Sequence, residues 1–182
     1  LRRLETPGHV EERIVVCGMT EEDLTRFGHP LSDATLAQVL DKLAQAKPAA
    51  IGLDIYRDLP EPRSGEGYPE LERVFQKHAN LIAIERLGKI KGPPALAQSP
   101  ERVAPNNLPR DYTVDDTFRR VPLFFEAGLP EARPSFAMAI TAEYLSQNNI
   151  ELQLTEPAQE GDAPLLKLGQ TIIPRLHRRA GG

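Results

Sequence analysis

The sequence predicts an α/β fold, in which a mixed sheet begins with a largely parallel βαβαβ unit and helices pack on that sheet. Two observations predict it. Short apolar runs at residues 13–19, 49–56 and 81–84 are rich in β-branched side chains, which is typical of strands buried on both faces. The segments between these runs carry apolar residues at helical spacing. Strand and helix therefore alternate through the first half of the chain.

Three helices are predicted from periodicity and from their end signals. The first has an N-cap at Ser32 or Asp33 and ends before Pro48, and the second carries Pro69 in its first turn. The third covers residues 134–146. Because its first half is apolar nearly all round, we expect this helix to be buried.

The remaining segments are predicted as a loop, a strand and a hairpin. Residues 88–116 are rich in proline and show no sustained period, so they form a long central loop, a feature that is often functional. Residues 119–125 are predicted as a strand. A C-terminal hairpin is predicted over residues 165–173, with its turn at Gly169 and Gln170.

The composition favours one domain over residues 1–182, because 40% hydrophobic residues in a chain of this length supply one substantial core. With 22 basic and 26 acidic side chains, the net charge of -4 gives no field that would attract nucleic acid. No apolar run approaches the roughly 18 residues of a membrane span. Because the chain begins at Leu1 and ends in Gly182, we expect both ends to be cuts in a longer polypeptide.

Asp54 is the most conspicuous polar residue, because it interrupts an apolar strand near the end where ligands gather in open α/β sheets. It could act as a nucleophile or a metal ligand, although no phosphate-binding glycine loop accompanies it. The structural alternative is that Asp54 caps the following loop or pairs with an arginine. Asn106 and Asn107 could likewise present amides to a small polar ligand or form Asx-turns.

A cluster of carboxylates, Asp111, Asp115 and Asp116, precedes Arg119 and Arg120. Carboxylates at such spacing on a loop could bind calcium, but the glycine and the terminal glutamate of an EF-hand are missing. The alternative is a β-turn whose carboxylates pair with the two arginines.

Cysteine and histidine usage indicates no catalytic or metal site. Cys17 is the single cysteine, which excludes an intramolecular disulfide, and its apolar neighbours indicate a buried small hydrophobe rather than a catalytic thiol. The four histidines show no metal-ligand spacing, and His78 lies on the apolar face of its predicted helix. No serine-hydrolase motif is present, so we predict no cofactor and no metal.

Four segments together resemble one known family. Residues 13–19 resemble its opening strand, of the form iVvvaId, and residues 48–55 match its phrase P-x-x-I-x-x-D-I. Residues 114–123 are similar to D-x-D-G-x-x-R-x-x-P-L, with Thr117 in place of the glycine, and residues 134–142 resemble P-S-x-A-x-x-x-A, with the last alanine one position later, at Ala142. The family is the type-two CHASE domain, the cyclase- and histidine-kinase-associated sensory extracellular domain. The likeness covers about residues 12–175.

The resemblance implies a sensor domain outside the membrane of a bacterial receptor, flanked by membrane spans. The output is then an adenylate cyclase, a histidine kinase, a diguanylate cyclase or a serine/threonine kinase in the cytoplasm, and the domain itself is no enzyme. It also implies a homodimer in the parent. The resemblance does not name the ligand or environmental signal.

A ligand site, if there is one, is expected where the strand ends meet the central loop. Its predicted residues are Asp54, Arg57, Asn106, Asn107, Asp111, Asp115, Asp116, Arg119 and Arg120. Two other functions stay open. One is a small α/β enzyme for a phosphorylated or nucleotide substrate, with Asp54 as nucleophile and Asp115 or Asp116 as magnesium ligand. The other is a spacer that promotes dimerisation without a ligand.

Overall fold

The computed structural model of the chain describes residues 11–108, 122–125, 132–155 and 165–173. Its helices are α1 (Glu21–Phe27), α2 (Asp33–Gln45), α3 (Tyr68–Lys77) and α4 (Phe136–Ser146). Its strands are β1 (Ile51–Leu53), β2 (Leu81–Glu85), β3 (Val103–Pro105), β4 (Phe124–Phe125), β5 (Arg133–Pro134), β6 (Leu152–Leu154), β7 (Leu166–Leu168) and β8 (Thr171–Ile173). None of the described helices is long and apolar enough to cross a membrane.

A parallel sheet in the order β1-β2-β3 forms the centre of the fold. Ile51 pairs with Leu81 and Ala83 pairs with Val103, so β2 is hydrogen-bonded on both sides. The four apolar residues of β2 are buried, which is why its sequence is continuously apolar rather than alternating. Two antiparallel sets, β4-β5 and β6-β7-β8, account for the other strands.

Helices cover both faces of this sheet. On one face, α2 and α3 pack against each other and against β1 and β2, and their core includes Leu36, Leu71 and Phe75. On the opposite face, α4 packs over a smaller core of Ile82, Ala104 and Ala139. The strand β2 therefore contributes alternate side chains to two cores.

Gly52 allows α4 to lie directly on β1. A Cβ atom at this position would lie 2.9 Å from Phe136 Cζ and closer still to Ile140 Cδ1, both on α4. Any larger residue would push the helix away from the sheet, because packed cores do not absorb an extra methyl group without displacement.

A buried ion pair joins the start of α2 to the loop after β1. Arg57 Nε lies 3.1 Å from Asp33 Oδ1, and the two side chains are 6% and 0% exposed. The other carboxylate oxygen of Asp33 accepts the Glu61 backbone N–H at 2.8 Å, and the Asp33 N–H donates to the Glu61 carbonyl at 2.6 Å. The Arg57 guanidinium also donates to the Leu31 carbonyl. This network fixes where the chain enters α2.

The fold class predicted from the sequence is confirmed, and several elements lie where their signals place them. Ser32 is the N-cap of α2 and its hydroxyl accepts the Thr35 N–H at 3.2 Å, while Pro69 lies in the first turn of α3. The hairpin of β7 and β8 turns at Gly169 and Gln170 as predicted. The third predicted helix is present as α4, although only one side of it is buried.

Three predictions need correction. Residues 13–19 form no strand and are exposed, because the described residues offer them no packed partner, and Cys17 is therefore exposed rather than buried. The predicted loop of residues 88–116 contains β3 and two 3-10 helices, Pro94–Leu96 and Pro100–Arg102. Of the strand predicted over residues 119–125, the described part forms only the short β4.

Removal of the Asp33 carboxylate should strongly destabilise the fold, because it leaves the Arg57 charge buried without a partner. We expect Asp33→Ala to lower the free energy of unfolding by about 3–5 kcal/mol. Asp58→Ala, in the following loop, is the matched control and should change it by less than about 0.5 kcal/mol. Denaturant titration measures both. Equal stabilities of the two variants would contradict the role given to the ion pair.

A second contact between helices depends on the charge of Asp41. On α2, Asp41 Oδ1 accepts a hydrogen bond from Lys77 Nζ at 2.6 Å and lies 2.9 Å from His78 Nε2 at the end of α3. The hydrogen bonds from Lys77 and His78 lower the pKa of Asp41 from 3.8 to about 2. Because the folded pKa lies below the unfolded one, the contact stabilises the fold fully above pH 3.8 and is lost as the pH falls towards 2.

The difference in stability between the native protein and Asp41→Asn should therefore depend on pH. We expect Asp41→Asn to be the less stable protein near pH 5, and the difference to shrink steadily between about pH 4 and pH 2. Thermal unfolding across this range measures it. Glu70→Gln, which removes an exposed pair with Arg73 on α3, is the control. A difference for Asp41→Asn that stayed constant down to pH 2 would contradict the assignment.

Candidate functional site

The carboxyl ends of the three parallel strands bring polar side chains to one edge of the sheet. Asp54 follows β1, Glu85 is the last residue of β2, and Asn106 follows β3. Because the strands are parallel and neighbouring, these ends lie side by side, the position where open α/β sheets bind ligands. We refer to this group of residues as the carboxyl edge.

Asp54 and Asn106 meet across the end of β2. The side-chain amide of Asn106 donates to Asp54 Oδ1 at 2.7 Å, while the Asn106 backbone N–H donates to the Glu85 carbonyl at 3.0 Å. Asp54 is exposed to solvent and Asn106 is partly buried. This bond uses one oxygen of the carboxylate and one N–H of the amide, which leaves two oxygens and one N–H in the pair for other partners.

Asn107 supports the backbone beside this pair. Its side-chain oxygen accepts the N–H of Leu87 at 3.0 Å, which ties the segment after β3 to the segment after β2. The amide oxygen is thereby occupied by backbone, while the amide N–H groups take no part in that bond.

Glu85 and Arg133 form an ion pair at the same edge, and neither residue is among the predicted site residues. Arg133 Nη1 contacts Glu85 Oε1, and Arg133 Nη2 donates to the Val103 carbonyl at 2.8 Å. The side chains are 15% and 32% exposed for Glu85 and Arg133. Glu85 ends an apolar strand in the same way as Asp54, and that signal could have found it. Arg133 carries no comparable sequence signal, because its contact spans a distant part of the chain.

Arg57 lies close to Asp54 in the chain, but its guanidinium points into the buried network around Asp33. Its described partners are Asp33 and the carbonyls of Leu31 and Tyr56. The structure thus brings Asp54 together with Asn106, and it pairs Arg57 with a different aspartate. The other five predicted site residues lie outside the described residues: Asp111, Asp115, Asp116, Arg119 and Arg120. The hypothesis that the three aspartates bind calcium therefore stays a prediction.

Within residues 11–108, 122–125, 132–155 and 165–173, no group of three or more histidine, cysteine, aspartate or glutamate side chains is placed to hold a metal ion. The chemistry that the described carboxyl edge offers is hydrogen bonding by carboxylate and amide groups.

These features define an α/β domain whose polar side chains gather at the carboxyl edge of a parallel sheet. The family model described as the CHASE2 domain matches residues 1–180, so the chain belongs to the CHASE2 family. Members of this family are extracellular sensory domains and are not catalytic. The comparisons with curated proteins and with solved structures gave no match. The match to the CHASE2 family model confirms the family resemblance predicted from the sequence.

Proposed function

We propose that this chain is the extracytoplasmic input domain of a bacterial transmembrane receptor, and that a small polar ligand binds at its carboxyl edge. The output would be an adenylate cyclase, a histidine kinase or a related effector in the cytoplasm, working as a homodimer. Membership of a sensory family supports the first part of this proposal. The single observation that carries the second part is the bond between Asp54 and Asn106, which joins two strand ends at an exposed position.

The acceptors at this edge favour a ligand that donates hydrogen bonds. Asp54 and Asn106 offer a carboxylate oxygen and an amide oxygen that their mutual bond does not use. At the same edge, Arg133 pairs with Glu85, and its guanidinium neutralises the Glu85 carboxylate. A ligand with hydroxyl or ammonium groups fits these acceptors better than an anion does.

Ligand binding at Asp54 has a short route to the N-terminal side of the domain. The loop after β1 leads from Asp54 to Arg57, whose guanidinium binds the Leu31 carbonyl and the first residue of α2, Asp33. A ligand that binds better to one position of this loop shifts the population of that position. The proposed signal is this shift, carried from the loop to the chain that enters α2.

The alternative function is that of a spacer that promotes dimerisation of the receptor without a ligand. Exposed apolar side chains outside the carboxyl edge, including Ile14, Val15 and Val16, favour a role in association. The two functions differ in what the carboxyl edge does, so substitution there separates them.

Substitution of the carboxyl edge should abolish the response to a ligand and leave the fold intact. Screened by thermal shift and calorimetry against metabolites, ions and pH, the native domain should respond to a small polar compound. Asp54→Ala and Asn106→Ala should each weaken its binding about tenfold or more, since each removes a hydrogen-bond acceptor that the ligand would use. Asp58→Ala, with a carboxylate outside the edge, should bind as the native domain does. If the native domain responds to nothing in the panel, the spacer function is favoured.

The receptor context has its own test, which does not involve the ligand. We expect the coding sequence to continue beyond both ends of this chain into membrane spans, with a catalytic module after the last span. Reporter fusions on either side of the domain in intact bacteria should place it outside the cytoplasmic membrane. A cytoplasmic location would contradict the receptor proposal even if a ligand were found.

A further inference from the structure

The segment that follows β2 brings positive charge to the carboxyl edge. We call residues 86–91 the basic turn: it carries three exposed cationic side chains, Arg86, Lys89 and Lys91. The chain has no aspartate or glutamate between Glu85 and Glu101, although its net charge is -4. Positive charge is therefore concentrated directly after the strand whose end the bond between Asp54 and Asn106 spans.

Hydrogen bonds hold the basic turn in one position. Arg86 and Ile90 form an antiparallel bridge, with N–O distances of 2.8 and 2.9 Å. Gly88 has a φ of 72°, a conformation that glycine adopts without strain and that lets the chain reverse here. The side-chain oxygen of Asn107 accepts the Leu87 N–H at 3.0 Å and so fastens the turn to the segment after β3. The cations are thus carried by an ordered turn.

The register of the sheet places Arg86 beside Asn106. Glu85 pairs with Pro105, and the Asn106 N–H donates to the Glu85 carbonyl at 3.0 Å, so the parallel ladder continues one residue beyond β3. Arg86 and Asn106 are the next residues on the two chains. Because they are level with each other in the ladder, their side chains lie on the same face of the sheet.

Alternation along the strands shows which face this is. On each parallel strand, one residue lies against α4: Gly52, Ile82 and Ala104. Side chains two or four residues further along a strand return to the same face. The polar residues at these positions are Asp54, Arg86 and Asn106. The 2.7 Å bond between Asp54 and Asn106 agrees with this placement, and Arg86 follows the strand that lies between them.

The carboxyl edge therefore presents both signs of charge on one face of the sheet. The Asp54 carboxylate is bonded to the neutral amide of Asn106, and both Asp54 and Arg86 are exposed, so both charges face solvent together. Arg133 differs from Arg86, because its guanidinium contacts the Glu85 carboxylate. A simple anion would be repelled by Asp54 and a simple cation by Arg86, since like charges that are brought together cost free energy.

We propose that the ligand of the carboxyl edge is a small zwitterion, whose ammonium group binds Asp54 and Asn106 and whose carboxylate binds Arg86. This inference rests on the proposed function, because it names the ligand class for the same site. The ammonium group donates to the carboxylate oxygen and the amide oxygen that the bond between Asp54 and Asn106 leaves unused. The ligand carboxylate accepts two parallel hydrogen bonds from the planar guanidinium.

Calorimetry with matched ligands tests the two halves of the site separately. The probes are the common α-amino acids, and the tightest binder is compared with the amine that lacks its carboxylate and with the acid that lacks its ammonium group. Arg86→Gln should weaken the zwitterion about tenfold or more and should not weaken the amine, because only the carboxylate contacts Arg86. Asp54→Asn should weaken the zwitterion and should not weaken the acid.

Arg73→Gln is the matched control, because Arg73 is an exposed arginine on α3, which packs on the opposite face of the sheet. It should bind the zwitterion as the native domain does, and all three variants should melt like the native domain. If the native domain binds a polyol or an amine but no zwitterion, or if Arg86→Gln binds the zwitterion normally, this inference is wrong while the carboxyl edge keeps its ligand. If the native domain binds no probe of any class, the proposed ligand site fails as well.

Asn107 is a positioning residue in this site, because it holds the basic turn through the Leu87 N–H and thereby places Arg86. Asn107→Ala should weaken the zwitterion less than Arg86→Gln does and should leave binding of the amine unchanged. The protein with both substitutions should bind the zwitterion no more weakly than Arg86→Gln alone, since Asn107 acts through Arg86. Additive losses in the double variant would contradict the positioning role.

Discussion

The buried ion pair of Asp33 and Arg57 fixes the relation between the first packed helix and the sheet. Two charged side chains, 0% and 6% exposed, are stable there because each finds its partner and further backbone hydrogen bonds. The pair ties the start of α2 to the loop after β1, and α2 in turn forms the core with α3 over β1 and β2. The loop after β1, which follows Asp54 of the candidate site, and the chain before α2 are thereby held together.

The sequence predicts most of what local physics controls. The N-cap Ser32, the early Pro69 and the turn at Gly169 each act within a few residues, and all lie where expected. The prediction fails where local pattern and tertiary context disagree. The apolar run of residues 13–19 has strand propensity, but it becomes a strand only if an edge accepts it, and propensity alone does not supply that edge.

In the candidate site, too, local sequence signals predict some residues, and tertiary contacts decide the others. The position of Asp54 at a strand end was predictable from the interruption of an apolar run, and its approach to Asn106 follows from parallel strands that end at one edge. Arg133 was not predictable, because its contact with Glu85 depends on the segment before α4 lying beside β3 in the fold. The interaction of Arg57 with Asp33 was missed for a similar reason: nothing in the sequence tells which of several aspartates an arginine will meet across the fold.

The contact between Arg57 and the Leu31 carbonyl has a mechanical consequence. A tension on the chain just before α2 acts on the Leu31 carbonyl, which the Arg57 guanidinium binds from the loop after β1. The load then falls on this guanidinium and on the hydrogen bonds between Asp33 and Glu61, rather than on the hydrogen-bonded ladder of the sheet. Because Arg57 lies in the loop that follows Asp54, a pull on the chain before α2 would act on this loop as well as on the core in which Leu31 packs.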